Sequence, residues 1–258
     1  MTITQAILLG IVEGLTEFLP VSSTGHLIVF SSLMDLEPTE FLKTFEIFIQ
    51  VGAILAVLPL FIRRVKRSPK RALNILAAFI PTALAGALLY PMVKRFLEYP
   101  SLVAWALLIG GLIMLAIELR LKKQVATEDD FRLRRSISLK DSILLGTYQA
   151  FALIPGVSRS GSTIIGGLMH RIDRAAIVEF SFVLSVPTIF AASAYDLMKM
   201  QISLSGMEML LLAVGFLASW MSAFFCVRMF IRFVSSHTFI PFAVYRIIAG
   251  VILLVFFF

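Results

Sequence analysis

The chain has 258 residues, of which 59% are hydrophobic and 15% charged, with a formal net charge of +7; its mean hydropathy is +0.94. Soluble domains carry about 45–50% apolar residues, so the composition predicts an integral membrane protein, and no polar block is long enough to fold separately. The single cysteine, Cys226, excludes an internal disulfide and thiolate-rich zinc or iron–sulfur sites, and three histidines argue against a histidine-built metal centre; the basic residues gather at the ends of apolar runs, the pattern of membrane orientation and not of nucleic-acid binding.

In chain order, the first apolar stretch, about residues 3–34, is too long for one straight span and is interrupted by Pro20 and Gly25. Six runs match the roughly 20 helical residues that cross a bilayer core: 44–62, 72–92, 101–119, 175–198, 207–231 and 238–258. Between the third and fourth lies a second interrupted stretch, 141–170, with Pro155, Gly156 and Gly161 at its middle. Each half of the two interrupted stretches reaches only about 20–25 Å at about 1.5 Å per residue. That predicts re-entrant hairpins of two half-helices, tolerated where irregular backbone lines a cavity. No Lys or Arg precedes Lys43, so the basic start of a cleaved signal peptide is missing.

Charge bears on the topology. With both stretches re-entrant, 17 of the 23 Lys and Arg fall on one side, against 14 if residues 141–170 crossed. The positive-inside rule favours the first arrangement. It puts both termini outside, the first hairpin entering from the outer face and the second from the cytoplasmic face. Arg159 and Arg246 remain within the membrane, as do Glu46 and Glu179; of these, Glu46, Glu179 and Arg246 are supporting or packing candidates. The loop 120–140, with Glu128, Asp129 and Asp130, reads as a solvated linker, and His170 and His237 sit near cytoplasmic ends with no assigned role. The expected fold class is an all-α integral membrane protein: six transmembrane helices plus two re-entrant helical hairpins, one polytopic domain over 1–258 with repeat halves at about 1–119 and 141–258.

Residues 7–28 align without gaps at an offset of 136, with eight matches in 22 positions: Ile7/Ile143, Leu8/Leu144, Leu9/Leu145, Gly10/Gly146, Val21/Val157, Ser22/Ser158, Gly25/Gly161 and Ile28/Ile164. Three spans separate the copies, so an inverted-topology repeat is expected, with its site where the broken helices meet and half-helix N-termini can face an anion.

The chemistry concentrates in these copies. Glu13 and Glu17 are four apart and share a helix face. Two carboxylates so close in an apolar setting repel unless a cation sits between them. Magnesium or calcium suits such oxygen ligands, and a phosphate substrate would complete the coordination. Ser22, Ser23 and Thr24 are cap formers and Gly25 allows close backbone approach, which together make an anion cradle. The second copy supplies Ser158, Ser160 and Thr163 and adds Arg159, whose guanidinium can fork two phosphate oxygens. Serine–glycine turns also serve simply to pack membrane helices. His26 reads as a general acid/base or nucleophile, or as a cap on a hydrogen-bond network.

The run Glu13-Gly-Leu-Thr-Glu17-Phe-Leu-Pro-Val-Ser-Ser-Thr-Gly-His26, with Pro155-Gly-Val-Ser-Arg-Ser-Gly-Ser-Thr163, resembles the undecaprenyl-diphosphate phosphatase family of bacteria, the bacitracin-resistance type, along the whole chain. The resemblance implies hydrolysis of undecaprenyl diphosphate to the monophosphate carrier lipid of cell-wall synthesis, a divalent cation, the inner membrane and an outward-facing site. Candidate catalytic residues are then Glu13, Glu17, Ser23, His26 and Arg159, with Glu13 and Glu17 on the metal and Ser22, Ser23, Thr24, Ser158, Arg159, Ser160 and Thr163 around phosphate. Attack comes from Ser23 assisted by His26, or from water activated by His26 or a glutamate. A secondary transporter or channel for an anion or lipid phosphate is the rival reading. The expected partners are the prenyl diphosphate lipid and membrane lipids, without nucleic acid; a homodimer is left open.

Overall fold

A computed structural model of the protein describes residues 1–96, 99–127, 133, 136–199 and 204–257. All regular structure among them is helical: α1 (Ile3–Thr16), α2 (Ser23–Leu33), α3 (Glu40–Leu55), α4 (Leu58–Arg67), α5 (Pro69–Phe96), α6 (Pro100–Thr127), α7 (Leu139–Ala150), α8 (Arg159–Met169), α9 (Arg174–Lys199), α10 (Gly206–Val234) and α11 (Ile240–Phe257), with a 3-10 turn at Phe151–Leu153. Four of them, α5, α6, α9 and α10, are long and apolar enough to cross a membrane. Their outward faces carry exposed Leu84, Leu88, Leu112, Trp220 and Met229, apolar surface of a kind that lipid covers. The acidic cluster expected in the 120–140 linker lies outside the described residues.

The expected span 44–62 is not one straight rod. The helix α3 ends at Leu55, α4 restarts at Leu58, and the two are bent by 49°. Pro59 lies in the first turn of α4 and has no N–H to offer the preceding turn. Counted as one span, the pair makes five. The run at 238–258 becomes α11, whose apolar part, Ile240–Val255, is shorter than the other spans.

Both interrupted stretches form two short helices around an irregular turn, and the repeat is carried in backbone geometry. The bounds of α2 and α8 correspond residue for residue at the sequence offset, and α1 and α7 start on equivalent capping boxes at Thr2 and Ser138. The only non-glycine residues with positive φ among those described are Ser22 (69°) with Ser158 (74°) and Asp35 (53°) with Arg171 (58°), two equivalent pairs. L-residues adopt that region at a cost of about 1–2 kcal/mol, so sharing it at matched positions reflects one backbone design used twice.

Packing is reciprocal. The helix α1 lies against α10 and α7 against α5, while α6 crosses α11 and α3 crosses α9. Gly10 and Gly146 make the first two contacts close: a Cβ on Gly10 would overlap the Gly215 carbonyl oxygen, and one on Gly146 the Ala78 carbonyl oxygen. Small residues permit such approaches in membrane helices. The result brings the turn after α1 against the start of α8, where Ser160 Oγ donates to Leu19 O at 2.8 Å.

Candidate active site

Phe18 opens the first turn. It is fully buried in the largest apolar cluster and meets Phe182 of α9 edge-on, with ring centroids 5.1 Å apart. That anchor fixes Glu17, the C-cap of α1, pointing inward beside Glu13. The chain then reverses through the left-handed Ser22, whose Oγ caps α2 at Gly25 N (3.5 Å); Ser158 caps α8 at Gly161 N (3.1 Å) in the same way. First-turn amides have no intrahelical acceptor. With Gly25 and Gly161 satisfied by the caps, the amides of Ser23, Thr24, Arg159 and Ser160 are the ones left to bind an anion at the two helix starts.

Glu17 is the hub. Its Oε2 accepts the hydroxyl proton of Ser23 at 2.6 Å and a longer contact from Gln50 Nε2 of α3 at 3.5 Å. Its Oε1 accepts Arg159 Nη2 at 3.0 Å, a pair that is almost wholly buried. The other Arg159 nitrogen, Nη1, donates to Ser181 O at 3.0 Å, while Nε has no partner. The carboxylate of the first copy and the guanidinium of the second thus meet directly.

Glu13 is buried and neither of its carboxylate oxygens has a hydrogen-bond partner. Glu17, Glu46 and Arg159 all act on it electrostatically. An orphaned buried carboxylate flanked by two further acids is costly, and hard oxygen donors of this kind fit a divalent cation. Among the described residues no group of three or more His, Cys, Asp or Glu is placed to hold a metal.

His26 stands apart from Ser23. Its Nδ1 lies 2.7 Å from Ser22 O, a carbonyl that can only accept, so Nδ1 carries the proton. Nε2 then accepts from the Tyr245 hydroxyl at 2.5 Å, with the two rings stacked. The expected Ser23–His26 partnership is not formed among these contacts; Glu17 takes that place. Ser160 and Thr163 turn their hydroxyls inward, to Leu19 O and Arg159 O, and Ser158 Oγ contacts Ser160 Oγ at 3.2 Å. Thr24 is half-buried beside them. A cavity of about 950 Å³ is lined by Arg64, Asn74, Asp173 and Glu179, among others, and includes none of these groups. Chemistry, not volume, marks the site.

Residues 6–252 match the family described as "Bacitracin resistance protein BacA". The chain belongs to this family. Similar proteins include an "Undecaprenyl-diphosphatase" of Wolinella succinogenes, 48% identical over 254 residues that cover 98% of each chain. Others of the same name are those of Persephonella marina, 46% identical with 99% of each chain covered, and of Aquifex aeolicus, 43% identical with 100% of this chain and 99% of the relative covered.

In this BacA-family chain, Gln50, Ser181 and Tyr245 join the site without any motif to announce them. A signal for one existed. Glu46 and Gln50 are four apart in an otherwise apolar run, one polar face on α3, and Ser31 Oγ reaches Glu46 Oε1 at 3.5 Å.

Proposed function

We propose that the protein is an undecaprenyl-diphosphate phosphatase of the bacterial inner membrane, and that Ser23 is its nucleophile with Glu17 as base. Family membership and the names of full-length relatives support the activity. The observation that carries the site assignment is the 2.6 Å hydrogen bond from Ser23 Oγ to Glu17 Oε2, which deprotonation would turn into attack. Ser23 Oγ bonds to the terminal phosphorus, its proton passes to Glu17, and the anhydride bond to the lipid monophosphate breaks. Water then attacks the phosphoserine and the Oγ–P bond breaks. The proton on Glu17 returns to Ser23, and inorganic phosphate leaves. His26 Nε2, which lies 2.5 Å from the Tyr245 hydroxyl, takes a proton of that water once the hydroxyl is displaced, and gives it up to the departing phosphate, so that the cycle closes. Arg159 and the helix-start amides hold phosphate oxygens, so charge neutralisation contributes most of the rate. Glu13 and Glu17 would hold a divalent cation, which supplies further neutralisation of the diphosphate when bound.

The membrane arrangement follows from the same lengths. At about 1.5 Å per residue, the 14-residue α1 and 11-residue α2 reach only part of the roughly 30 Å hydrocarbon core. Under this reading α1–α2 and α7–α8 are re-entrant hairpins from opposite faces, and α3–α4, α5, α6, α9, α10 and α11 are six spans of an inverted repeat. The site opens outward, where the prenyl tail remains in lipid. The transporter or channel reading has no observation of its own in its favour.

Phosphate release from the lipid diphosphate tests the proposal. Ser23→Ala and Glu17→Gln should each lower kcat about 10³-fold, and label from the terminal phosphate should be trapped on Ser23 of the wild type. Label found on another residue, or full turnover by Ser23→Ala, rejects the nucleophile.

A further inference from the structure

The offset that relates Ser22 to Ser158 also relates Pro20 to Gly156 and Gly110 to Arg246. These positions meet. Arg246 on α11 is the largest fully buried side chain among the described residues. Its Nη1 donates to Pro20 O at 3.1 Å, and its Nη2 to Gly156 O at 3.1 Å and Ala106 O at 3.0 Å. One guanidinium thus holds the equivalent carbonyls of both turns, each two residues before the left-handed serine. Among the described residues its hydrogen bonds go to carbonyls, and Nε has no partner.

The equivalent position on the crossing helix is bare for a reason. A Cβ on Gly110 of α6 would overlap Arg246 Nη2. Arginines at both positions would send two guanidinium groups into one space, so one helix supplies the cation and the other the room. A planar fork can bridge two acceptors at fixed spacing, and an ammonium cannot do so with the same rigidity.

We propose that Arg246 is the positioning residue that sets one turn against the other, and so fixes Glu17 and Ser23 of the first copy against Arg159 of the second. This rests on the reading of the Glu17–Arg159 cluster as the catalytic site. Arg246 acts through the turns and touches none of the reacting groups.

Because the two carbonyls are related by the repeat, the guanidinium should work from either helix. In full-length protein, Arg246→Lys should keep its fold and its KM within about threefold while kcat falls about 100-fold, the loss that a misplacement of about 1 Å brings. Arg246→Gly and Gly110→Arg should each be severely impaired, the second because two guanidiniums collide. The double variant, Arg246→Gly with Gly110→Arg, should recover kcat to within about tenfold of wild type and regain its melting temperature, a coupling that independent sites never show. A double variant no more active than Arg246→Gly, whether or not it folds, overturns the proposal. So does an Arg246→Lys protein whose loss merely follows its folded fraction. Failure of the site reading is separable: Glu17→Gln and Arg159→Ala would then retain wild-type turnover, while the double variant would still restore the melting temperature lost in the singles.

Discussion

Glu13 and Glu17 are chemically the same residue one helical turn apart, and their surroundings divide them. Glu17 is hydrogen-bonded by Ser23, Gln50 and Arg159, whereas Glu13 is buried with no hydrogen-bond partner on either oxygen. A buried carboxyl group without a hydrogen-bond partner is a liability in the folded state. Glu13→Gln should therefore raise the melting temperature in chelator-treated protein while abolishing turnover, a trade between stability and function. Magnesium or calcium should raise the melting temperature of the wild type, since a ligand bound only by the native state stabilises it, and should leave Glu13→Gln unmoved. Equal shifts in both proteins would place the cation elsewhere. The same contrast explains why the sequence named both glutamates and not their roles: spacing shows a shared face, but only the fold shows that Arg159 approaches one of them.

At the level of the helices, the polar turns are held by close crossings outside the motifs. Gly146 brings α7 onto α5 at Ala78, and the hydroxyl of Thr82 on α5 donates to Gly146 O at 2.9 Å, so that crossing is both tight and hydrogen-bonded. Gly146→Val should cost about 3 kcal/mol, at the upper end for overpacking, and reduce the yield of folded protein in a detergent melting assay. Gly206→Val, at a helix start where a Cβ meets nothing within 4 Å, is the control and should melt within a few degrees of wild type. Helix positions were legible from the apolar runs, because lipid and core both select continuous apolar residues. The bend between α3 and α4 was less legible. Pro59 was visible in the sequence, yet prolines also lie inside the continuous helices α5 and α9, at Pro81, Pro91 and Pro187; neighbouring helices decide whether a freed carbonyl is satisfied.

Across the whole molecule, the halves are joined by buried polar ties as well as by apolar packing. Glu118 of α6 is completely buried, forms a bidentate pair with Arg174 of α9 at 3.0 and 2.6 Å, and accepts Phe239 N at the start of α11 at 3.0 Å. Removing one partner strands the other charge. Glu118→Ala should destabilise the protein by about 3–5 kcal/mol, seen as loss of folded protein on size exclusion, although Glu118 is absent from the site. A wild-type melting curve would mean that the pair is solvated.

By itself, the sequence determined the membrane character, the duplication, the two polar turns and the residue types gathered in them, because each is written in local composition and in a fixed offset. Only the tertiary structure decided who partners whom: Glu17 with Ser23 and Arg159, His26 with Tyr245, and Arg246 with both turns. Those contacts join residues up to 226 positions apart. A buried polar atom takes whatever partner the packing of helices brings within about 3 Å, and no local pattern in the chain encodes that choice.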